Sequence, residues 1–297
     1  VDILRTPEER FADLPDYPFD PRYADIGDGL RMHYVDEGPP AAPVVLMLHG
    51  EPSWSFLYRH MIPPIAAAGF RAVAPDLVGF GKSDKPAAQS DYTYDGHLAW
   101  LWSFVEGLEL NDITLVCQDW GGLLGLRLVA EHPDRFARVI AANTFLPTGR
   151  EPLGDAFAAW RTFATTSPAF DIGTVVSKGC ATELSPAVIA SYDAPFPDES
   201  YKAGARVFPA LVPDDPGKPD ALANQKAWAS LSRFDRPFLT AFSDKDPITR
   251  GADKFLRAAI AGAKDQPHTT IEGGGHFLQE DRGPELAEVV IDFVRAS

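Results

Sequence analysis

The stretch Val116–Gly122, VCQDWGG, decides how the rest of the chain is read. Within it, Cys117-Gln118-Asp119-Trp120-Gly121 has the pattern small, any, nucleophile, any, small. That spacing marks a sharp strand-to-helix turn, which in G-x-S-x-G sequences presents a serine. Here an aspartate holds the presented position and a tryptophan follows it. Both flanks suit the turn: ITLVCQ reads as a strand, and WGGLLGLRLVAEHP as a helix ended by Pro133.

Outward from the turn, strand and helix patterns alternate. LRMHYVDEG is an alternating strand, and VVLMLHG is a continuous apolar run of the kind buried on both faces. SFLYRHMIPPIAAAG reads as a helix with a proline kink, FRAVAPDLVGFGKSD as a strand leaving into a glycine-rich loop, and YTYDGHLAWLWSFVEGLEL as a helix. ARVIAANT is again a strand. This rhythm predicts a mostly parallel sheet with helices on both faces. It breaks after about Thr144. Short helical stretches and proline-rich links then run to roughly Ala227, before RPFLTAFS restores a strand, followed by a helix, HTTIEGG and a closing helix RGPELAEVVIDFVRA. The expected organisation is an α/β core formed by residues 1–146 and 227–297, interrupted by a helical cap at 147–226. Such an insertion lies at the strands' carboxyl edge, where open α/β sheets bind ligands.

The chain has 297 residues, 45% hydrophobic and 23% charged, which is ordinary globular composition for one large domain with an inserted module. A net charge of −15 opposes binding to nucleic acid or an anionic membrane, so a small neutral substrate is expected instead. No apolar run approaches the roughly 20 residues that span a bilayer. Cys117 and Cys180 make neither a disulfide framework nor a metal cluster. Cys117 is expected as a buried small hydrophobe. The opening VDILRTPEERFADLPDYPFD lacks a signal-peptide core. A reduced, cytoplasmic protein with no metal, no cofactor and no evident protein partner is expected.

If Asp119 is a nucleophile, it needs a base and an acid. His276, in GGGHFLQE, follows a glycine-rich turn after the last strand signal. Asp246, in FSDKDPITR, follows the strand PFLTAF; Asp244 is the rival acid, and Asp246 is favoured because it adjoins the helix-starting Pro247. The order nucleophile, acid, histidine is that of α/β-hydrolases. Taken singly, each residue has a plainer reading: Asp119 as a helix cap, His276 as an exposed loop residue. Their joint placement after strands at one sheet edge favours chemistry. His33, His60, His97, His132 and His268 are expected to be surface or structural residues. HGEPSW, His49–Trp54, directly follows a strand and is placed to supply one oxyanion-hole N–H, from Glu51, with Trp120 supplying the other.

The strings HGEPSW, CQDWGG, DKDPIT and GGGHFLQE, with RTPEERFADLPDYPF and YDAPFPDESYKAGARVFP, resemble those of haloalkane dehalogenases of the α/β-hydrolase superfamily. The resemblance runs over nearly the whole chain and is strongest to members that hold halide between two tryptophans. It implies the α/β-hydrolase fold with a helical cap, and a small apolar halogenated substrate with water and halide ion as the other species in the site. Trp120 is one halide donor. Trp160, in DAFAAWRTF, matches the family's cap tryptophan in the order of motifs; its alternative is core packing. Phe157, Phe208, Pro209 and Val212 resemble the apolar pocket lining.

A carboxylate nucleophile suits that chemistry. Serine attacking a saturated carbon would leave an ether, whereas aspartate leaves an ester that water can hydrolyse. Asp119 is ionised at neutral pH without a base, so His276 is needed only to deprotonate water, with Asp246 orienting its ring. An indole N–H donates without carrying charge and so holds a leaving halide without clamping it. Two other readings share the motifs. An epoxide hydrolase would need cap tyrosines, of which only Tyr192 and Tyr201 are present. A non-catalytic scaffold binding a small ligand would have no use for the intact Asp-Asp-His set.

Overall fold

The computed structural model describes residues 1–297, with ten strands. They are β1 (Ile3–Leu4), β2 (Arg22–Asp25), β3 (Arg31–Glu37), β4 (Val44–Leu48), β5 (Arg71–Pro75), β6 (Lys85–Pro86), β7 (Ile113–Gln118), β8 (Phe136–Ala142), β9 (Phe238–Ser243) and β10 (Thr269–Ile271). Eight of them form one sheet in the order β10-β9-β8-β7-β4-β5-β3-β2, and β1 pairs with β6 in a separate ribbon. From β10 to β5 every pairing is parallel, while β3 and β2 add antiparallel strands at the far edge. All residues of β4 and β7 are buried, as expected of runs with no polar face.

From β4 the chain crosses to β5 on one side and later returns to β7 on the other. The carboxyl ends of β4 and β7 therefore flank a topological switch point, where a crevice opens. Leu48 pairs with Cys117, Gln118 with Ala142, and Ile271 with Ser243, so the loops after β4, β7, β8, β9 and β10 all leave at one edge.

The helices are α1 (Ile62–Ala67), α2 (Tyr94–Gly107), α3 (Trp120–Glu131), α4 (Gly154–Thr166), α5 (Ile172–Gly179), α6 (Pro186–Asp193), α7 (Ala203–Leu211), α8 (Pro219–Leu231), α9 (Ala252–Ala259) and α10 (Leu278–Ala296). The long kinked helix expected over SFLYRHMIPPIAAAG is two pieces. A 3₁₀ turn covers Ser55–Tyr58, and α1 starts afresh where Pro63 and Pro64, lacking N–H groups, fit a helix's first turn. The closing helix starts earlier than its pattern suggests, at Leu278, and kinks at Arg282, two residues before Pro284.

Helices α4 to α8 occupy the interval between β8 and β9 where the strand rhythm breaks. The last of them, α8, runs through residue 226. One cluster of 81 buried apolar residues joins Val45 and Leu115 of the sheet to Ile172, Tyr192 and Phe208 of these helices, so they share the core rather than forming a second one. A buried polar clamp adds to this. Two Arg59 nitrogens donate to Glu280 (2.7 and 2.5 Å), and Tyr192 of α6 donates to the same carboxylate.

Candidate active site

The turn between β7 and α3 places Asp119 in a conformation few non-glycine residues adopt, φ 51° and ψ −125°. Such strain of order 1–3 kcal/mol persists only where the surroundings enforce it. The Asp119 N–H donates to Asn143 O (3.0 Å), and its carbonyl accepts from Thr144 Oγ1 (2.7 Å) and Gly122 N (2.9 Å). Glycine is required at 121, where a Cβ would overlap the Leu48 carbonyl, and at 50, where it would overlap the Asp119 side chain. The loop after β4 can thus lie directly against the turn.

That contact brings the Glu51 N–H to Asp119 Oδ1 at 2.8 Å. Three donors hold the Gly50 carbonyl on the opposite side of the same peptide: His49 Nδ1 (2.9 Å), Ser53 Oγ (2.8 Å) and Ser53 N (3.0 Å). Trp120 opens α3, so its backbone N–H has no carbonyl four residues behind it within the helix. Of the two expected oxyanion-hole donors, the Glu51 N–H touches the Asp119 carboxyl, and the Trp120 N–H, next to Asp119 in the chain, has no partner within the helix.

His276 Nε2 stands 3.5 Å from Asp119 Oδ2, and its Nδ1 lies 3.1 Å from Asp246 Oδ1. Asp246 is buried and also accepts from Ile248 N (2.8 Å), Thr249 N (3.2 Å) and the Thr249 hydroxyl. Burial works against its charge, but the His276 ring and these donors outweigh it and bring the carboxyl down to about 2. Burial likewise opposes charge on His276, yet Asp246 and Asp119 together raise it to about 10. The rival Asp244 is exposed and its Oδ1 accepts from Gly273 N (2.7 Å), which makes it part of a turn rather than a partner of His276.

Two residues that sequence reasoning passed over hold the histidine loop. Asn143 Nδ2 donates to the carbonyls of Gly275 (2.9 Å) and His276 (3.0 Å), and Gln118 Nε2 donates to the His276 carbonyl (3.1 Å). Asn143 itself has φ 39°. An asparagine directly after an apolar strand is the one local signal that could have marked it.

Asp119, Glu51, Trp120 and His276 line a cavity of about 1200 Å³, with Phe157, Trp160 and Val212 on its walls. Phe145, Leu153, Phe163 and Phe255 extend the apolar lining beyond the residues expected. Phe208 and Pro209 are not on the wall. Phe208 is fully buried behind Trp120, ring centroids 4.5 Å apart, and Pro209 lies buried in α7, its carbonyl accepting from Arg161 (3.0 Å). The indoles of Trp54 and Trp228 donate to the carbonyls of Ser191 and Leu146, whereas those of Trp120 and Trp160 make no hydrogen bond to a protein acceptor. The Trp160 indole approaches the Glu51 carboxyl. Glu51 is held well above the usual carboxylate range by burial and by the charge of Asp119, against smaller opposing contributions from Trp160 and His276. No group of three or more His, Cys, Asp or Glu side chains is placed to hold a metal ion, and no helix is long and apolar enough to cross a membrane.

Residues 43–283 match the family model of the alpha/beta hydrolase fold. The chain is 57% identical to a haloalkane dehalogenase of Psychrobacter cryohalolentis, covering 98% of each chain. It is 52% identical to one of Mycobacterium marinum, covering 99% of this chain and 100% of the other. Among solved structures, the tetrameric haloalkane dehalogenase of Paraglaciecola agarilytica superposes with a TM-score of 0.89 at 38% identity, covering 97% of both chains. With Asp119 on its strained turn and likeness over nearly its whole length, the chain belongs to the haloalkane dehalogenases of the α/β-hydrolase fold.

Proposed function

We propose that the protein converts haloalkanes to primary alcohols and halide through an alkyl ester on Asp119, with residues 147–226 forming the cap over that site. The observation carrying this reading is one carboxylate flanked on two sides: Glu51 N–H on Oδ1, His276 Nε2 beyond Oδ2. In the first step an Asp119 oxygen bonds to the substrate carbon, and the carbon–halogen bond breaks with its electron pair leaving on the halide. Trp120 and Trp160 donate their indole N–H groups to that halide in an apolar cavity, where a donor is worth more than in water.

In the second step a water loses a proton to His276 and attacks the Asp119 carboxyl carbon. The oxyanion that forms lies beside the N–H groups of Glu51 and Trp120. Its collapse expels the alkoxide, which takes the proton from His276, and the new Asp119 carboxyl ionises to solvent. The two steps are electrostatically coupled. While Asp119 is charged it favours the imidazolium, and esterification removes that charge, so the ring falls toward the neutral form a base needs. Asp246 orients the ring and balances the imidazolium that returns.

The cavity exceeds the roughly 300–1,000 Å³ of ordinary ligand pockets, which supports acceptance of chains well beyond two carbons. Both cysteines are free, in keeping with a cytoplasmic site of action. Tyr192 donates its hydroxyl to Glu280 and does not line the cavity, which weighs against the epoxide-hydrolase reading. The test is halide release from a panel of 1-bromo- and 1-chloroalkanes of increasing length, with an epoxide as control. Halide release by the native protein and none by Asp119→Ala supports the reading; epoxide opening without halide release overturns it.

A further inference from the structure

The backbone of the loop carrying His276 is held by two parts of the molecule. Its carbonyls bond to the sheet edge, where Asn143 and Gln118 donate to them and Ser243 Oγ adds a bond to the Gly275 carbonyl (2.7 Å). Its N–H groups bond elsewhere. That of His276 donates to the Gly179 carbonyl at the end of α5 (2.7 Å), and that of Gly275 donates to Asp281 Oδ2 (2.7 Å). The same Oδ2 accepts from Ala181 N (2.8 Å), while Oδ1 accepts from Thr182 N (2.8 Å) and Thr182 Oγ1 (2.5 Å). A carboxylate offers about four lone-pair sites, and here four donors fill them. Three of those donors belong to the link between α5 and α6, and the fourth to the histidine loop. Asp281 is buried, and its charge strengthens each bond. The joined segments lie so close that a Cβ on Gly275 would meet the Gly179 carbonyl at 2.5 Å. Gly179, Cys180 and Ala181 of the link line the cavity together with Gly275, His276 and Phe277.

We propose that Asp281 is a positioning residue for His276: its carboxylate ties the histidine loop to the α5–α6 link and so keeps the imidazole in place for ester hydrolysis. This rests on the two-step reading of Asp119 and His276 given above. Bonds to the carbonyls alone would leave the loop free to pivot about them. The Gly275 N–H, next to the histidine in the chain, fixes that pivot. The direct bond from His276 N to Gly179 depends on the link staying docked, and Asp281 docks it with three bonds. Alkylation of Asp119 makes no such demand. The nucleophile is held by its own turn and by the Glu51 N–H, and none of these bonds passes through Asp281.

An amide tests the carboxylate with little change of volume. Asp281→Asn keeps one oxygen, and in either orientation its amino group meets at least one backbone N–H. In rapid-mixing runs with a 1-bromoalkane, first-turnover bromide release by this variant should stay within about twofold of the native rate. Decay of the alkyl ester should slow about ten- to a hundredfold, the scale of a misplaced reacting group. Thr182→Val removes one hydroxyl bond and should slow the same step about two- to fivefold. It should add little in the Asp281→Asn background, because the two residues act through one contact. Equal slowing of both steps, native ester decay in Asp281→Asn, or an undiminished effect of Thr182→Val in that background overturns the proposal. If Asp281→Asn does not fold, native ester decay in Thr182→Val overturns it instead.

Hydrogen exchange read by mass spectrometry adds a readout that needs no turnover. In Asp281→Asn, peptides covering residues 179–182 and 275–277 should both exchange about tenfold faster, while β7 and α3 keep native protection. Uniform loosening marks a merely structural residue, and loosening of one segment without the other breaks the tie; either result overturns the proposal. If the native protein forms no alkyl ester, the fault lies in the two-step reading, and exchange then decides whether Asp281 holds the histidine loop.

Discussion

Helices α3 and α4 are nearly the same length, and each brings one indole to the cavity, but they are built differently. Of the 12 residues of α3, 11 are buried; of the 13 of α4, only Ala164 is. The sequence of α3, WGGLLGLRLVAE, is apolar apart from the paired Arg127 and Glu131, and its glycines let it press against β4 and β7. The sequence of α4, GDAFAAWRTFATT, packs on α7 and otherwise faces cavity and solvent. Trp120 is locked between Tyr94 and Phe208, while Trp160 leans on Phe163 and Phe170 at wider ring spacings. The floor that performs the bond changes is thus held by a dense, buried lattice, and the opposite wall is held loosely. Changes to the floor should alter rates, and changes to the wall should alter which substrates are taken.

The sharpest break of this contrast lies in the floor. Asp246→Asn should lower steady-state turnover by on the order of 10³–10⁴-fold, because the His276 ring loses its orienting carboxylate. Asp244→Asn, touching only Gly273, should stay within about twofold of the native rate, and the reverse ranking would mean the acid is misassigned. A smaller effect is expected where floor and wall share a task. A charge-assisted hydrogen bond contributes roughly 1.5–3 kcal/mol, so Trp120→Phe and Trp160→Phe should each weaken bromide binding about ten- to a hundredfold. Trp120→Phe should fall at the upper end, since its ring cannot be replaced by a neighbour. Unchanged quenching in Trp160→Phe would leave α4 with no part in holding halide.

Stability should show the same asymmetry more mildly. Leu124→Ala removes a fully buried α3 side chain and should cost about 2–5 kcal/mol by denaturant titration. Phe157→Ala on α4 removes a half-buried ring facing an existing cavity, so it should cost less than about 1.5 kcal/mol. It should instead shift the preference among 1-bromoalkanes of different length, on the scale of about 1–3 kcal/mol per methylene. A larger stability loss from Phe157→Ala than from Leu124→Ala would contradict the contrast.

The same division explains what could be read before the fold was known. Asp119, His276 and Asp246 each follow a strand signal and sit beside turn residues, so local pattern and chain order were enough to single them out. Their positions in one parallel sheet then bring them within hydrogen-bonding reach. Gln118 and Asn143 carry no comparable signal. Each acts on a loop more than 130 residues away in sequence, and only the pairing of β7 with β8 places them there. The wall was legible in part. Phe157 and Trp160, three apart on α4, share the face that lines the cavity, but the corresponding inference failed on α7. There Phe208 turns inward against Trp120, and only Val212, just past the helix end, reaches the wall, because helix rotation rather than sequence adjacency decides which side chain of α7 faces the opening.

The most direct test of the central claim, that Asp119 is alkylated and then released by His276, is intact-mass analysis of His276→Phe after exposure to a 1-bromoalkane. Bromide departure needs no base, so this variant should gain the mass of one alkyl group, located to the peptide carrying Asp119, and should release bromide once per chain without turning over. An adduct on another residue, no adduct at all, or continued turnover in His276→Phe would contradict the account.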